Sequence, residues 1–239
     1  MYDFSKMKAI LASWGIPFTE KQEQQFRLYY QLLIEWNEKI NLTSIIEFDE
    51  VIEKHFIDSL SIMNKIKNKN IKQIIDIGTG AGFPGIPLKI MMPDTEIVLM
   101  DSLNKRIKFL NIIIDSLQLN YIEALHSRAE ELAKNKNFRE KFDLVTSRAV
   151  ARLATLSEYC LPFVKIGGYF ISYKGTEIKE ELEEAKKAIY ILGGKLDQVE
   201  KFTLPSTEYG RSFIMIKKER NTPMKYPRKA GIPSKEPIL

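Results

Sequence analysis

The sequence predicts a doubly wound α/β fold: a mostly parallel seven-stranded sheet with helices on both faces, preceded by an N-terminal helical extension. Three observations predict it. From residue 71 onward, short β-branched runs alternate with helical stretches, the pattern of parallel strands joined by helical crossovers. The first run, Ile71-Lys-Gln-Ile-Ile-Asp-Ile77, ends in a glycine cluster, as a buried parallel strand entering a ligand loop does. The residues before it carry apolar positions at three- and four-residue steps, with no strand–turn–strand unit.

In chain order, Phe4, Met7, Ile10, Leu11 and Trp14 mark a first helix, which Gly15 and Pro17 end. Thr19 and Gln22 have the spacing of a capping box, in which hydroxyl and amide each satisfy a first-turn N–H. The helix they open carries Phe26, Tyr29, Tyr30, Leu33, Trp36 and Ile40 on one broad face. A third helix runs from Asp49 through Ile52, Phe56 and Leu60 to Met63. Residues 1-68 are therefore expected as a helical extension packed on the core, 69-219 as the α/β core, and 220-239 as an extended basic tail. After the first strand, the strand segments are Glu96–Met100, Ile122–Leu125, Phe142–Thr146, Tyr169–Tyr173, Lys195–Phe202 and Ser212–Lys217. Helical segments fall at Pro87–Met92, Lys105–Leu117, Glu130–Lys134, Leu153–Val164 and Glu177–Leu192, the last stopped by Gly193-Gly194. Only the loop around Pro205–Gly210 separates the final two strands, so they pair antiparallel at one edge. There are no repeats and no low-complexity tract.

Composition bounds the function. A chain of 239 residues with 44% hydrophobic residues can bury a substantial core. A single cysteine, Cys160, excludes an internal disulfide and points to a reducing compartment. Neither a secretory signal nor a run long enough to span a membrane is present, so a cytoplasmic protein without a membrane partner is expected. Two histidines and one cysteine make no recognised metal site. The net charge of +5 is unevenly placed. Lys217, Lys218, Arg220, Lys225, Arg228, Lys229 and Lys235 stand against one acid, Glu219, so this segment is more positive than the whole chain. Such a segment, interspersed with Pro223, Pro227 and Pro233, suits a phosphate-rich partner; a solvated tail is the plain alternative.

The strongest chemical signal is Ile75-Asp-Ile-Gly-Thr-Gly-Ala-Gly-Phe-Pro-Gly85. Glycines let the backbone turn tightly and approach a ligand, and the helix that follows offers free N–H groups. Gly80, Gly82 and Gly85 match the dinucleotide spacing G-x-G-x-x-G, but start three residues beyond the strand. Gly78, Gly80 and Gly82 directly after Asp76 have instead the form of loops that bind S-adenosylmethionine, and this register is favoured. Asp101 ends the second strand, where a carboxylate can accept from both ribose hydroxyls, or cap the next helix; Ser102 beside it joins the candidate site. Ala129 and Glu130 follow the third strand, where methyltransferases clasp adenine, although Glu130 could simply open a helix. The fourth strand ends in Ser147-Arg-Ala-Val150 rather than an Asn-Pro-Pro-Tyr type loop, which argues against an exocyclic amine as methyl acceptor.

These features together resemble the bacterial small-subunit ribosomal RNA guanine-N7 methyltransferases, the RsmG or GidB family. The resemblance runs through Glu35-Trp-Asn-Glu-Lys-Ile-Asn-Leu-Thr43, His55-Phe-Ile-Asp-Ser-Leu60, the Asp76–Pro84 loop, Asp101-Ser-Leu-Asn-Lys-Arg106, Ser147-Arg-Ala-Val-Ala151 and Asn221-Thr-Pro-Met-Lys-Tyr-Pro-Arg-Lys229. Thr79 stands where the loop commonly has a smaller residue. The resemblance implies the class I S-adenosylmethionine-dependent (Rossmann-like) methyltransferase fold. It also implies cofactor contacts at Gly78, Phe83, Asp101, Ala129, Glu130 and Arg148. The implied substrate is a guanine of the guanine-527 type in the decoding region of 16S rRNA, within the small ribosomal subunit. Guanine N7 has an in-plane lone pair and no proton to lose, so alignment rather than a general base should carry the reaction. Lys225, Arg228 and Lys229 are then expected at RNA phosphates and Tyr226 on a base. Arg148 is the candidate positioning residue, with a strand-end arginine paired to an acid as its plain alternative; His55 and Asp58, one turn apart, have no assigned role. Another RNA, a protein substrate or a dinucleotide oxidoreductase are the rival readings.

Overall fold

The computed structural model describes residues 2–239. Its first third is helical, as the periodicity dictates, beginning with α1 (Ser5–Ser13) and α2 (Glu20–Ile40). The capping box forms: Thr19 Oγ1 accepts from the Gln22 N–H, and Gln22 Oε1 accepts from the Thr19 N–H. The third stretch is not one α-helix. It runs as α3 (Phe48–Val51), a π-helical turn (Ile52–Ile57), α4 (Asp58–Leu60) and α5 (Met63–Ile66). Wider π turns shift the helical phase, and they are frequent at functional sites. Here His55, Phe56 and Asp58 are all buried.

Seven strands follow: β1 (Gln73–Ile77), β2 (Glu96–Asp101), β3 (Ile122–His126), β4 (Phe142–Arg148), β5 (Val164–Lys174), β6 (Gly194–Thr203) and β7 (Gly210–Lys218). Their order is β3-β2-β1-β4-β5-β7-β6. Pairs from β3 through β5 are parallel, and β7 runs antiparallel to both β5 and β6. The intervening helices are α6 (Gly85–Met91), α7 (Asn104–Ser116), α8 (Ala129–Leu132), α9 (Leu153–Cys160) and α10 (Lys179–Ile191). The crossover expected over Leu153–Val164 is shorter than its periodicity suggests. Pro162 lacks an N–H to continue the helix, so α9 ends at Cys160 and a 3₁₀ turn passes the chain into a longer β5.

Strand alternation divides the core. Ile74 of β1 packs with the helical extension, α6 and α7, whereas Ile75 and Ile77 face α9 and α10. The extension is part of the first layer rather than an appendage. The Tyr29 ring stacks on Phe56 and packs at a tilt against Phe83, with centroids 5.4 Å away in each case, and Leu33 is fully buried.

The segment after β7 does not run out into solvent. It folds back across α8 and α9 and ends in a short helix, α11 (Ile232–Lys235). Outside α11 it has no regular structure, and side chains hold it. The Thr222 N–H donates to Glu140 Oε1 at 2.7 Å, and the Arg139 guanidinium donates to the carbonyls of Thr222 and Tyr226 at 2.8 and 2.9 Å. Among the described residues no helix is long and apolar enough to cross a membrane.

One turn depends on a residue without a side chain. Gly193, at φ +86°, ends α10, and a Cβ there would lie 2.1 Å from the Arg220 carbonyl oxygen. Gly193→Ala is expected to cost about 2 kcal/mol or more, from left-handed strain plus a backbone clash. Gly231→Ala, at φ +84° with open space around it, should cost about 1 kcal/mol. Urea midpoints of the two variants measure the difference.

Candidate active site

The strand order reverses between β1 and β4, and in open α/β sheets the crevice at such a point receives the ligand. The glycine loop leaves β1 there. Gly78 and Thr79 donate their N–H groups to the Met100 carbonyl at 2.8 and 3.1 Å. The Gly80 N–H donates to Asp101 Oδ2 at 3.0 Å, and the Tyr29 hydroxyl donates to the Ala81 carbonyl at 2.6 Å. Asp76 lies beneath the loop, entirely buried. Its two oxygens accept from the Gly85 N–H and the Thr146 hydroxyl, both at 3.0 Å. Burial pushes its carboxyl up to about 6, against the pull of those donors. Asp76 orders the loop and does not line the cavity above it.

That cavity measures about 340 Å³ and is lined by Gly78, Asp101, Ser102, Ala129 and Glu130, which converge from three strand ends. The volume lies within the range of small-ligand sites. Gly78 has φ +69°, and a Cβ there would fall 2.5 Å from a Val150 methyl carbon at the cavity wall, so a side chain would fill the cradle. Gly82 and Gly85 have a different job. A Cβ on Gly82 would meet Ile86 and Tyr29, and one on Gly85 would meet Leu99, so both face packed side chains rather than the cavity. In the dinucleotide register, Gly82 would be the glycine that lets the backbone approach a pyrophosphate; it is closed off by the core instead. The cradle fits S-adenosylmethionine, whose adenosine carries no pyrophosphate.

Asp101 accepts from the Gly80 and Leu103 N–H groups and from Arg106 Nη1. A carboxylate has about four acceptor positions, so ribose hydroxyls need one of these partners to yield. Arg106, with its side chain 32% exposed, is the one that can yield to a ligand without leaving a buried group unpaired.

A second cavity, of about 380 Å³, opens on the other side of Ala149, which borders both and sits at φ +57°. Arg148, at the end of β4, points into this one. Its guanidinium donates to Asp58 Oδ2 at 2.8 Å and to the Lys54 carbonyl at 3.0 Å, and lies 5.1 Å over the Phe83 ring. Arg211 holds the other Asp58 oxygen, Nε to Oδ1 at 3.0 Å. His55 stacks on Phe83 at 4.4 Å and contacts Thr43 Oγ1 through Nε2 at 2.8 Å. Burial, together with the Arg148 charge, pushes the His55 imidazole down to about 3.

Of the residues expected at the cofactor, Gly78, Asp101, Ser102, Ala129 and Glu130 therefore share the first cavity. Asp76, Gly80 and Gly82 support the loop, while Arg148 lines the second cavity and Phe83 is buried behind Arg148 and His55 without lining it. Arg148 is paired to an acid, its plain alternative, yet it also lines a cavity. Lys225 and Lys229 are exposed, Tyr226 packs partly against the second core, and Arg228 turns inward to buried Glu158. Arg211, Tyr159 and Ser234 line the cavities with no motif to mark them, because each arrives from an element distant in sequence. Among the described residues no cluster of His, Cys, Asp and Glu could hold a metal ion.

Comparison with known proteins shows the family and the fold. The profile of the family described as GidB, rRNA small subunit methyltransferase G, matches residues 22–209. The chain is 54% identical over 239 residues to the ribosomal RNA small subunit methyltransferase G of Lachnoclostridium phytofermentans, covering 100% of this chain and 99% of the relative. It is 57% identical over 220 residues to that of Desulforamulus reducens, covering 92% of each. Among solved structures, M. jannaschii TYW2 in complex with AdoMet superposes with a TM-score of 0.54 at 14% identity, over 73% of this chain and 79% of the other. A SAM-dependent methyltransferase from Aquifex aeolicus gives 0.51 at 17% identity, over 70% and 92%. These likenesses show the class I methyltransferase fold.

His55 provides a test of the second cavity's electrostatics. An ordinary histidine is mostly protonated at pH 5, whereas His55 is expected to stay neutral there, as ring ¹⁵N shifts would report. Because its folded value lies below the unfolded 6.5, the unfolded chain binds the extra proton. Stability is therefore fully present above about 6.5 and falls as pH drops toward about 3. His55→Gln should narrow the stability difference between pH 7.5 and pH 5 in urea melts.

Proposed function

The chain belongs to the rRNA small subunit methyltransferase G (GidB) family, and from that membership and its second cavity we propose that it methylates N7 of one guanine in the decoding region of 16S rRNA. It is an S-adenosylmethionine-dependent methyltransferase of 16S rRNA. The dinucleotide reading is thereby set aside. The small ribosomal subunit is the proposed partner, and the cytoplasm the proposed place of action.

When bound, S-adenosylmethionine supplies an electrophilic methyl group. The residues that would hold it are those of the first cavity: the Gly78 cradle, with the Asp101 carboxylate to accept from ribose hydroxyls and Ala129 with Glu130 to read the adenine. Ala149 lines both cavities, which supports a methyl donor in the first meeting an acceptor in the second.

The observation that carries the N7 reading is the lack of a free base in the second cavity. Both oxygens of Asp58 are held by arginines. His55 is a weak base with its Nε2 already at the Thr43 hydroxyl. The Tyr173 hydroxyl donates to the Ser59 carbonyl, and burial raises its pKa. An exocyclic amine or a hydroxyl must lose a proton on methylation and needs a base within reach. Guanine N7 does not, and can rely on alignment and approach distance. Arg148 is suited to this work, since its charge and plane are fixed by Asp58, the Lys54 carbonyl and Phe83. A guanidinium held in place can donate to guanine O6 and leave N7 facing the donor. On the protein surface, exposed Lys225 and Lys229 support the expectation of phosphate contacts.

Arg148→Ala is expected to lower kcat on small subunits by about 100-fold, with affinity for S-adenosylhomocysteine preserved because Arg148 lines the other cavity. The methylated position is checked by borohydride and aniline treatment, which cleaves RNA at N7-methylguanine; RNA that carries the methyl but resists cleavage contradicts the N7 assignment. Replacing Lys225 and Lys229 together by alanine should weaken RNA binding and flatten the dependence of log K on log salt by about 1.5, from two lost phosphate contacts.

A further inference from the structure

The cofactor cavity is not closed by the α/β core alone. Gly231 and Ser234 line it as well, and both come from the segment that follows β7. The Gly231 N–H donates to Glu130 Oε1 at 2.9 Å. One oxygen of that carboxylate is thereby taken by the segment, and Oε2 is left for a ligand.

What brings the segment to this place is a buried ion pair. Glu158 on α9 is 1% exposed, and Arg228 is its ion-pair partner. Arg228 grips it three ways: the backbone N–H to Oε1 at 2.7 Å, Nε to Oε1 at 3.0 Å, and Nη2 to Oε2 at 2.7 Å. Nη2 also donates to the Glu236 carbonyl at 2.8 Å, so the guanidinium ties both ends of the turn around α11. One turn earlier on α9, the Thr155 hydroxyl donates to the Pro233 carbonyl at 3.0 Å. Thr155, Glu158 and the cavity residue Tyr159 are spaced three and four apart, so one face of α9 serves as both receptor for the segment and wall of the cavity. Without the guanidinium the buried Glu158 carboxylate keeps only the Arg228 backbone N–H and loses its compensating charge, so the docking of this part of the segment is weakened.

We propose that residues 228–234 form the outer wall of the S-adenosylmethionine site, with Arg228 as the positioning residue that sets Gly231 against Glu130. This separates Arg228 from its basic neighbours: Lys225 and Lys229 face solvent, whereas Arg228 acts on the cofactor side. The inference rests on assigning the cofactor to the first cavity, and the test keeps the two apart. Binding of S-adenosylhomocysteine is measured by calorimetry for the wild-type full chain, Arg228→Ala, Ser234→Trp and Asp101→Ala. Arg228→Ala is expected to raise Kd at least tenfold, and to raise KM for S-adenosylmethionine while kcat on small subunits changes little. Ser234→Trp places bulk at the cavity from an exposed position and leaves the ion pair intact. It should raise Kd similarly without lowering Tm, and it decides the matter alone if Arg228→Ala does not fold. Wild-type affinity in either variant overturns the wall. If Asp101→Ala still weakens binding, the wall alone falls; if Asp101→Ala also binds normally, the cofactor assignment falls with it.

Discussion

The glycine loop is held in tension between three layers of the molecule, and the geometry of both cavities follows from that restraint. From below, the sealed Asp76 carboxylate fixes the start of α6 to β4 through Gly85 and Thr146. From the side, Asp101 at the end of β2 takes the Gly80 N–H. From above, the Tyr29 hydroxyl of the helical extension takes the Ala81 carbonyl. A loop rich in glycine loses much conformational entropy on ordering. These anchors, two of them charged, offset that loss and present a single backbone shape to a ligand. The helical extension is in this sense part of the cofactor site, although it lines no part of the cavity.

The two cavities differ in chemistry as well as place. The first offers backbone, small side chains and carboxylates that can accept hydroxyls and an amine edge. The second is built around one carboxylate locked between two arginines, with a neutral imidazole stacked on Phe83. Every group there that could take a proton is already engaged. Such a cavity orients a base but does not deprotonate it, which suits an acceptor with a ready lone pair. The π turn accounts for the crowding, since it carries His55 and leads directly to Asp58, so both meet Arg148 from the end of β4.

The basic C-terminal segment has two faces. Lys225, Lys229 and Lys235 lie in solvent, where long flexible cations can meet phosphates, whereas Lys218 is buried. Arg228 is turned to a buried glutamate, where a planar fork with fixed charge has the advantage over an ammonium. Net charge along the sequence treats these residues alike. Burial distinguishes them.

Much of this could be read from the residues alone. Strand and helix periods, the stop at Gly193 and the capping box at Thr19 are local signals, and they place the elements within a few residues. The glycine loop, Asp101 and the Ala129-Glu130 pair sit at strand ends, so the alternation of elements already brings them to one rim. Local pattern could not say that Gly82 and Gly85 face packed side chains, that Phe83 supports an imidazole and a guanidinium, or that Arg228 belongs to Glu158. Nor could it show that Arg211, Tyr159 and Ser234 line the cavities. Those facts depend on which side chains meet across the sheet and at its rim after the chain has doubled back. Such contacts join residues far apart in sequence, and they are set by packing and by pairing of buried charges, which leave no periodic trace along the chain.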